Sequence, residues 1–175
     1  MSASVTTGPV GTGPALLRAA FRRHAAGVAV ITVDGEHGPA GFTATSVASV
    51  SAEPPMVSFG AGTMSSSWPA LAGARWVGVH LLAEQHRELA VRFSRSGADR
   101  FAAPTRWYSG PHGVPMLEGV PASLVCRVIA RVPAGSHRVV LAEVVEGHTS
   151  RGGRPLLYHG GRYAGLRQES AEDPP

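Results

Sequence analysis

Residues 121–132, PASLVCRVIARV, and residues 136–147, SHRVVLAEVVEG, are separated only by Pro133-Ala134-Gly135. Both runs read as long strands, and the link between them reads as a turn. Working outward, the same pattern persists. Arg75 to Leu82 reads as a strand, and Met56 to Phe59 starts another after the Pro54-Pro55 break. Gly41 to Ser51 is a further strand in which small and hydroxyl residues alternate with Val47 and Val50. Val28 to Val33 (VAVITV) is β-branched and short, and Asp34-Gly35 turns the chain after it. On the C-terminal side, Pro155 to His159 and Arg162 to Leu166 flank Gly160-Gly161.

Helical signals are few. Pro14 opens a short helix with an apolar stripe of Leu16, Leu17, Ala20 and Phe21, and Gly27 is expected to end it. Ser65-Ser66-Ser67-Trp68-Pro69 resembles a capped helix start, and Leu82, His86, Leu89, Ala90 and Phe93 mark one face of a third helix. Residues 95–113 read as a long loop holding Phe101, Trp107 and Tyr108, and loops of that length are usually functional or mobile. Strands follow strands with no βαβ alternation. The fold class is therefore mainly β: an antiparallel sheet closed into a barrel, with a few short peripheral helices.

At 175 residues the chain fits one domain, expected over residues 14–167, with residues 1–13 and 168–175 as frayed ends. The start lacks the charged and apolar runs of a signal peptide, and no apolar run approaches the ~18 residues of a membrane span. With one cysteine, Cys126, no internal disulfide is possible, and a cytoplasmic location is expected. The net charge of +4 comes from arginines spread from Arg18 to Arg167, with no basic run and no nucleic-acid-binding signature. There is no Lys and no Asn, so every fixed side-chain cation is a guanidinium, which suits a phosphorylated ligand. G-x-G-x-x-G after a strand, the P-loop, H-E-x-x-H and G-x-S-x-G are all missing. Rossmann, metalloprotease and α/β-hydrolase chemistry thus have no motif here, and the eight histidines show no metal-ligand spacing.

Two segments carry chemistry. On an extended strand Thr43, Thr45, Ser49 and Ser51 fall on one face and Ser46 on the other. Such a strand is either a hydroxyl-bearing solvent face, the commoner use, or a small-residue bed against which a planar ligand meets the backbone. The Ser65–Ser67 helix start is either plain N-capping or a site for an anion such as phosphate, because free N–H groups and hydroxyls converge there. Among the histidines, His24, His37, His112 and His148 read as structural. His86 reads as a packing residue, and His137 stands at the head of a long strand after Gly135-Ser136.

Taken in order, several pieces resemble the flavin reductase–like, FMN-binding split-barrel family, the reductase components of two-component flavin-dependent monooxygenases. They are Ala26 to Thr32; Gly41 to Ser46; Ser49-Val50-Ser51 with Pro54-Pro55; and the serine turn before Trp68. Further along come Pro115-x-Leu117-x-Gly119, Ala122-x-Leu124-x-Cys126, Gly135-Ser136-His137 and Tyr158-His159-Gly160-Gly161-x-Tyr163. The resemblance spans Leu16 to Tyr163. It implies a homodimeric Greek-key split barrel that passes hydride from NADH or NADPH to FMN or FAD and supplies a partner monooxygenase. By the same resemblance Thr43, Ala44, Thr45, Ser46, Val47 and Ser49 line the flavin ring and ribityl chain, with His80 and His86 close by. Met64, Ser65, Ser66, Ser67 and Trp68 hold the flavin phosphate. His137, as the catalytic-site residue, and Tyr158, His159, Gly160 and Gly161 meet the nicotinamide. Alternatives within the same fold are a tightly flavinated oxidase or electron carrier and a flavin-binding module without turnover. Three positions depart from the family pattern: His80 stands for Asn, His86 for Gln, and Ser136 for the Asp of Gly-Asp-His.

Overall fold

The computed structural model describes residues 12–166, so the expected tails lie outside the described residues apart from Thr12 and Gly13. In chain order the elements are α1 (Gly13–Phe21), β1 (Ala26–Gly27), β2 (Ala29–Gly35), β3 (Gly38–Ala44), β4 (Ala48–Ala52) and β5 (Pro55–Gly62). They continue with α2 (Trp68–Gly73), β6 (Trp76–Leu81), α3 (Arg87–Ser94), β7 (Trp107–Ser109) and β8 (Pro115–Leu117). The last are β9 (Ala122–Ala134), β10 (His137–Thr149), β11 (Leu156–His159) and β12 (Arg162–Gly165).

The long β9–β10 hairpin is the spine of a seven-stranded sheet ordered β3-β2-β6-β9-β10-β5-β4, every pair antiparallel. Val132 faces Val139 near its tip, and bulges near Leu141 and Glu146 add the bending that lets the sheet curl. The two edges, β3 and β4, are consecutive in the chain. Ser46 Oγ, in the link between them, accepts the Gly60 N–H of β5 at 2.8 Å and ties the β3 side to the β5 side. The interior so enclosed is apolar: Ile31, Val33, Val77, Val79, Cys126, Val140 and Phe59 are essentially inaccessible. Burial pushes the Cys126 thiol up to about 12, so it behaves as a small hydrophobe.

A second core lies outside the barrel, under the three-stranded sheet β1-β11-β12, where Val28, Val30, Leu82, Phe93, Leu117 and Leu156 meet. Three backbones stitch the layers together. Val28 N–H donates to Leu156 O, Leu156 N–H to Leu82 O, and Leu82 N–H to Val28 O, at 2.9–3.0 Å. These are fully buried residues whose peptide groups would otherwise be orphaned.

The expected mainly β, antiparallel class with few helices stands. The expected helix end does not: α1 stops at Phe21, and Gly27 lies in β1, paired with Leu157. The loop 95–113 also holds a strand, β7, which pairs with the unforeseen β8 through Trp107 and Leu117. The reading of Gly41 to Ser51 as one strand is corrected as well. β3 ends at Ala44, the chain bends through Thr45–Val47, and β4 starts at Ala48.

Helix α2 is only six residues long, yet it carries the serine turn at its head. Its C-terminal carbonyls are held from across the barrel. Arg131 of β9 donates Nε–H to Leu71 O at 3.0 Å and a terminal N–H to Ala74 O. Arg131→Ala is expected to lower stability by about 1–3 kcal/mol, because those carbonyls lose charged donors. Arg131→Lys, which keeps a cation, should lose less. Urea unfolding of both variants measures this, and equal midpoints for wild type and Arg131→Ala would refute it.

Candidate functional site

The bend at Thr45–Val47 divides the hydroxyl segment between two cavities. Thr43 and Thr45 line a polar cavity of about 500 Å³ with Arg87, Ser94, Tyr158, Gly161, Arg162 and Tyr163. Val47 and Ser49 line a separate apolar recess of about 520 Å³ with Val57, Val79, Leu81, Leu124 and Val144 at one end of the barrel. Ser46 Oγ accepts the Gly60 N–H, and Ala44 is buried in the core opposite Ala29 of β2.

The polar cavity is built by a hairpin turn that requires glycine. Gly160 and Gly161 both have positive φ, 59° and 81°, in a two-residue turn between β11 and β12, and Gly160 N–H donates to Arg22 O. This turn sets Tyr158 beside Tyr163, ring centroids 5.4 Å apart in an edge-to-face pair. Burial raises the Tyr163 pKa, with a hydroxyl contact to Ser94 acting the other way. Of the four residues expected from this segment, Tyr158 and Gly161 line the cavity; His159 and Gly160 do not.

The serine turn forms a second centre. Ser67 caps α2 but does not offer its hydroxyl to a ligand: it is buried and donates to Gly41 O at 2.7 Å. Ser65 Oγ accepts the Ser67 N–H at 3.3 Å, Ser66 is exposed, and Met64 is 94% exposed. The turn is joined by a cation that sequence reasoning missed. Arg100 donates one terminal N–H group to Ser66 Oγ and Ser67 Oγ at 3.1 and 3.2 Å, and the other to Arg95 O at 2.7 Å. Its Nε is the buried side-chain polar atom left without a partner among the described residues, and burial lowers its pKa. Arg100 lines a recess of about 270 Å³ with Ser66, Asp99 and Phe101. An arginine held against two serines with a donor to spare fits a phosphate. The only signal in the sequence was the length of the loop that holds it.

His137 opens β10 opposite Gly62, four residues before Ser66, and Thr63 N–H and hydroxyl both reach Ser136 O at 3.0 Å. The ring is exposed, and its Nδ1 lies 3.1 Å from Ser136 Oγ. Next to it, Arg138 sits 6.0 Å over the Trp68 ring. His137 and the serine turn are therefore neighbours, while Tyr158 and Gly161 belong to the other cavity.

Two of the expected cofactor residues are engaged within the protein itself. His80 is completely buried in β6. Thr32 Oγ–H donates to Pro115 O at 2.6 Å, so His80 Nε2–H must donate to Thr32 Oγ, at 3.0 Å. Nδ1 then accepts from Ser123 Oγ–H at 2.8 Å. With both ring nitrogens occupied, His80 has nothing to offer a ligand. Its pKa falls to about 3, driven by burial. His86 is a cap: its Nδ1 accepts the Ala83 N–H at 3.1 Å, and burial outweighs a contact with Gly119 to lower its pKa. Among the described residues no group of three or more His, Cys, Asp or Glu is placed to hold a metal. No described helix is long and apolar enough to cross a membrane.

Comparison with known proteins identifies the family. The model of the flavin reductase like domain matches residues 21–167, and the chain belongs to that family. It is 45% identical over 150 residues to an NADH:FMN oxidoreductase of Rhodococcus qingshengii, covering 83% of this chain and 78% of that protein. It is 32% identical to the reductase subunit HsaB of a flavin-dependent monooxygenase from Rhodococcus jostii, covering 93% of this chain and 83% of that protein. The crystal structure of a flavin reductase domain protein from Arthrobacter sp. FB24 superposes with a TM-score of 0.85 at 45% identity, over 90% of this chain and 98% of that one.

Proposed function

We propose that the protein is an NAD(P)H:flavin oxidoreductase that reduces a dissociable flavin for a partner monooxygenase. The observation that carries this reading is the Arg100–serine turn, a built anion site, lying beside His137 on one side and β3 on the other. The hydride moves directly between nicotinamide and flavin, whose own chemistry supplies the reaction. The protein's part is to bind, align and exclude water. Arg100 and Ser66 hold the flavin phosphate, and Ser65 completes the turn. Thr45 offers its hydroxyl and the backbone through Val47 its peptide groups to the ring system, while the Thr43 hydroxyl is donated to Ala90 O at 2.6 Å.

His137 is a positioning residue for the nicotinamide carboxamide, with Ser136 Oγ orienting its ring in place of a carboxylate. A homodimer belongs to this reading: the apolar recess at Val47, Val57 and Leu124 opens to solvent in a single protomer and suits a second copy. A reducing compartment suits the free, buried Cys126.

Steady-state kinetics of His137 variants test the proposal. His137→Ala should raise KM for NADH by about fivefold to tenfold, the worth of one hydrogen bond, with a smaller change in kcat and unchanged flavin affinity. His137→Asn and His137→Gln should recover part of the loss, since an amide still bonds a carboxamide. A collapse of kcat in all three with KM unchanged would make His137 a proton donor and overturn its positioning role.

A further inference from the structure

Arg100 lies in the irregular segment between α3 and β7, so no strand or helix ladder fixes the backbone that carries it. Three consecutive carbonyls there are held from further along the chain. Thr105 Oγ–H donates to Arg100 O at 2.7 Å, Trp107 Nε1–H to Phe101 O at 3.1 Å, and Thr105 N–H to Ala102 O at 3.0 Å. With its proton given to Arg100 O, the Thr105 oxygen is left as an acceptor. It lies 3.4 Å from a terminal nitrogen of Arg92 on α3, which also donates to Ala102 O at 3.2 Å. On the other side Asp99 accepts the Ala102 N–H at 3.1 Å. Phe93, Phe101 and Trp107 pack edge to face, with successive ring centroids 5.2 and 5.3 Å apart, and pin the segment to the second core. The clasp is reciprocal: Arg92 reaches from α3 into the segment, and Arg100 reaches back to Arg95 O, just past the end of α3.

Thr105 does not line the recess of Arg100 and Ser66, so it reaches a ligand there only through what it holds. What it holds is the carbonyl of the residue whose guanidinium spans Ser66, Ser67 and Arg95 O. A planar fork of donors is useful only at a fixed distance and angle, and a side chain as long as arginine keeps that aim only if its backbone is immobile. We propose that Thr105 is a positioning residue that sets the preference of the site for phosphorylated over unphosphorylated flavin by fixing where Arg100 points. The inference rests on the reading of Arg100 as the holder of the flavin phosphate. The part of Thr105 that matters is its hydroxyl, which alone makes the bonds to Arg100 O and Arg92.

Fluorescence titrations of FMN and riboflavin into the full-length variants, without turnover, test this. Thr105→Val keeps the shape and loses the hydroxyl. It should weaken FMN by about threefold to tenfold, the worth of one hydrogen bond, and change riboflavin by no more than about twofold. Thr105→Ser restores the hydroxyl and should bind FMN within about twofold of wild type. In an Arg100→Ala background the Thr105→Val loss for FMN should vanish, because a residue that acts through Arg100 has nothing left to position. A Thr105→Val loss equal for both flavins, no loss at all, or a loss that persists undiminished without Arg100 would overturn the proposal. Arg100→Ala alone tells that failure from failure of the phosphate reading. If it weakens FMN selectively and Thr105→Val does not, the positioning role falls and the phosphate reading stands. If it weakens both flavins alike, the phosphate reading falls and this inference with it.

Discussion

His80→Ala is expected to destabilise the protein by about 3–5 kcal/mol, the sum of a buried cavity and of polar partners left stranded in the core. Ser123 Oγ–H would lose its acceptor and Thr32 Oγ its donor, both in side chains with no exposed surface. The chain Ser123–His80–Thr32–Pro115 links β9, β6, β2 and β8, so its loss loosens four strands at once. It also makes stability depend on pH with a definite sign. The folded protein keeps His80 neutral down to about pH 3, whereas an unfolded histidine takes up its proton near 6.5. Between those values the unfolded state binds the extra proton, so this contribution is complete above 6.5 and drains away as the pH falls toward 3. The slope approaches about 1.4 kcal/mol per pH unit in the middle of that window. Urea unfolding of wild type and His80→Asn at several pH values separates this histidine from the others. Asparagine still offers a donor and an acceptor, so His80→Asn should be less damaging than alanine and should remove part of the acid slope. Identical slopes in the two proteins would show that His80 is not the group responsible.

The same residue shows where sequence reasoning reached its limit. The strands were legible because runs such as VAVITV and the β9–β10 pair carry their own turns, and the antiparallel class followed from their succession. His80 was read by its alignment with a family position, but a one-dimensional pattern does not say that Thr32 and Ser123, 48 and 43 residues away, converge on its two ring nitrogens. The Gly41–Ser51 segment failed for a related reason. Its strand-like alternation continues straight through Thr45–Val47, and what breaks it is closure of the barrel, the Ser46–Gly60 bond across 14 residues. Arg100 and Arg131 were invisible for the opposite cause. In a chain with arginine as its only strong cation, no single arginine stands out until the fold shows what it grips. The glycine pair at 160–161 was legible as a turn, since it occurs between two short strand runs and needs positive φ at both positions.

Arg100→Ala is expected to weaken FMN binding by about tenfold to a hundredfold, while riboflavin, which lacks the phosphate, changes by no more than about twofold. The three serines should then separate according to where their hydroxyls point. Ser66→Ala, at the exposed side of the recess, should reduce FMN affinity by a smaller factor with little change in stability. Ser67→Ala should do the reverse. Its hydroxyl donates to Gly41 O inside the core, so removing it strands a β3 carbonyl and lowers the unfolding midpoint, while riboflavin and FMN suffer alike. Arg100→Lys retains the charge but not the forked geometry that spans Ser66, Ser67 and Arg95 O, so it should fall between wild type and alanine. Flavin fluorescence titrations with riboflavin and FMN, paired with unfolding curves for each variant, give the full comparison. If Arg100→Ala weakened riboflavin as much as FMN at unchanged stability, the arginine would be reading the ring or ribityl chain, and the phosphate would have to be held elsewhere.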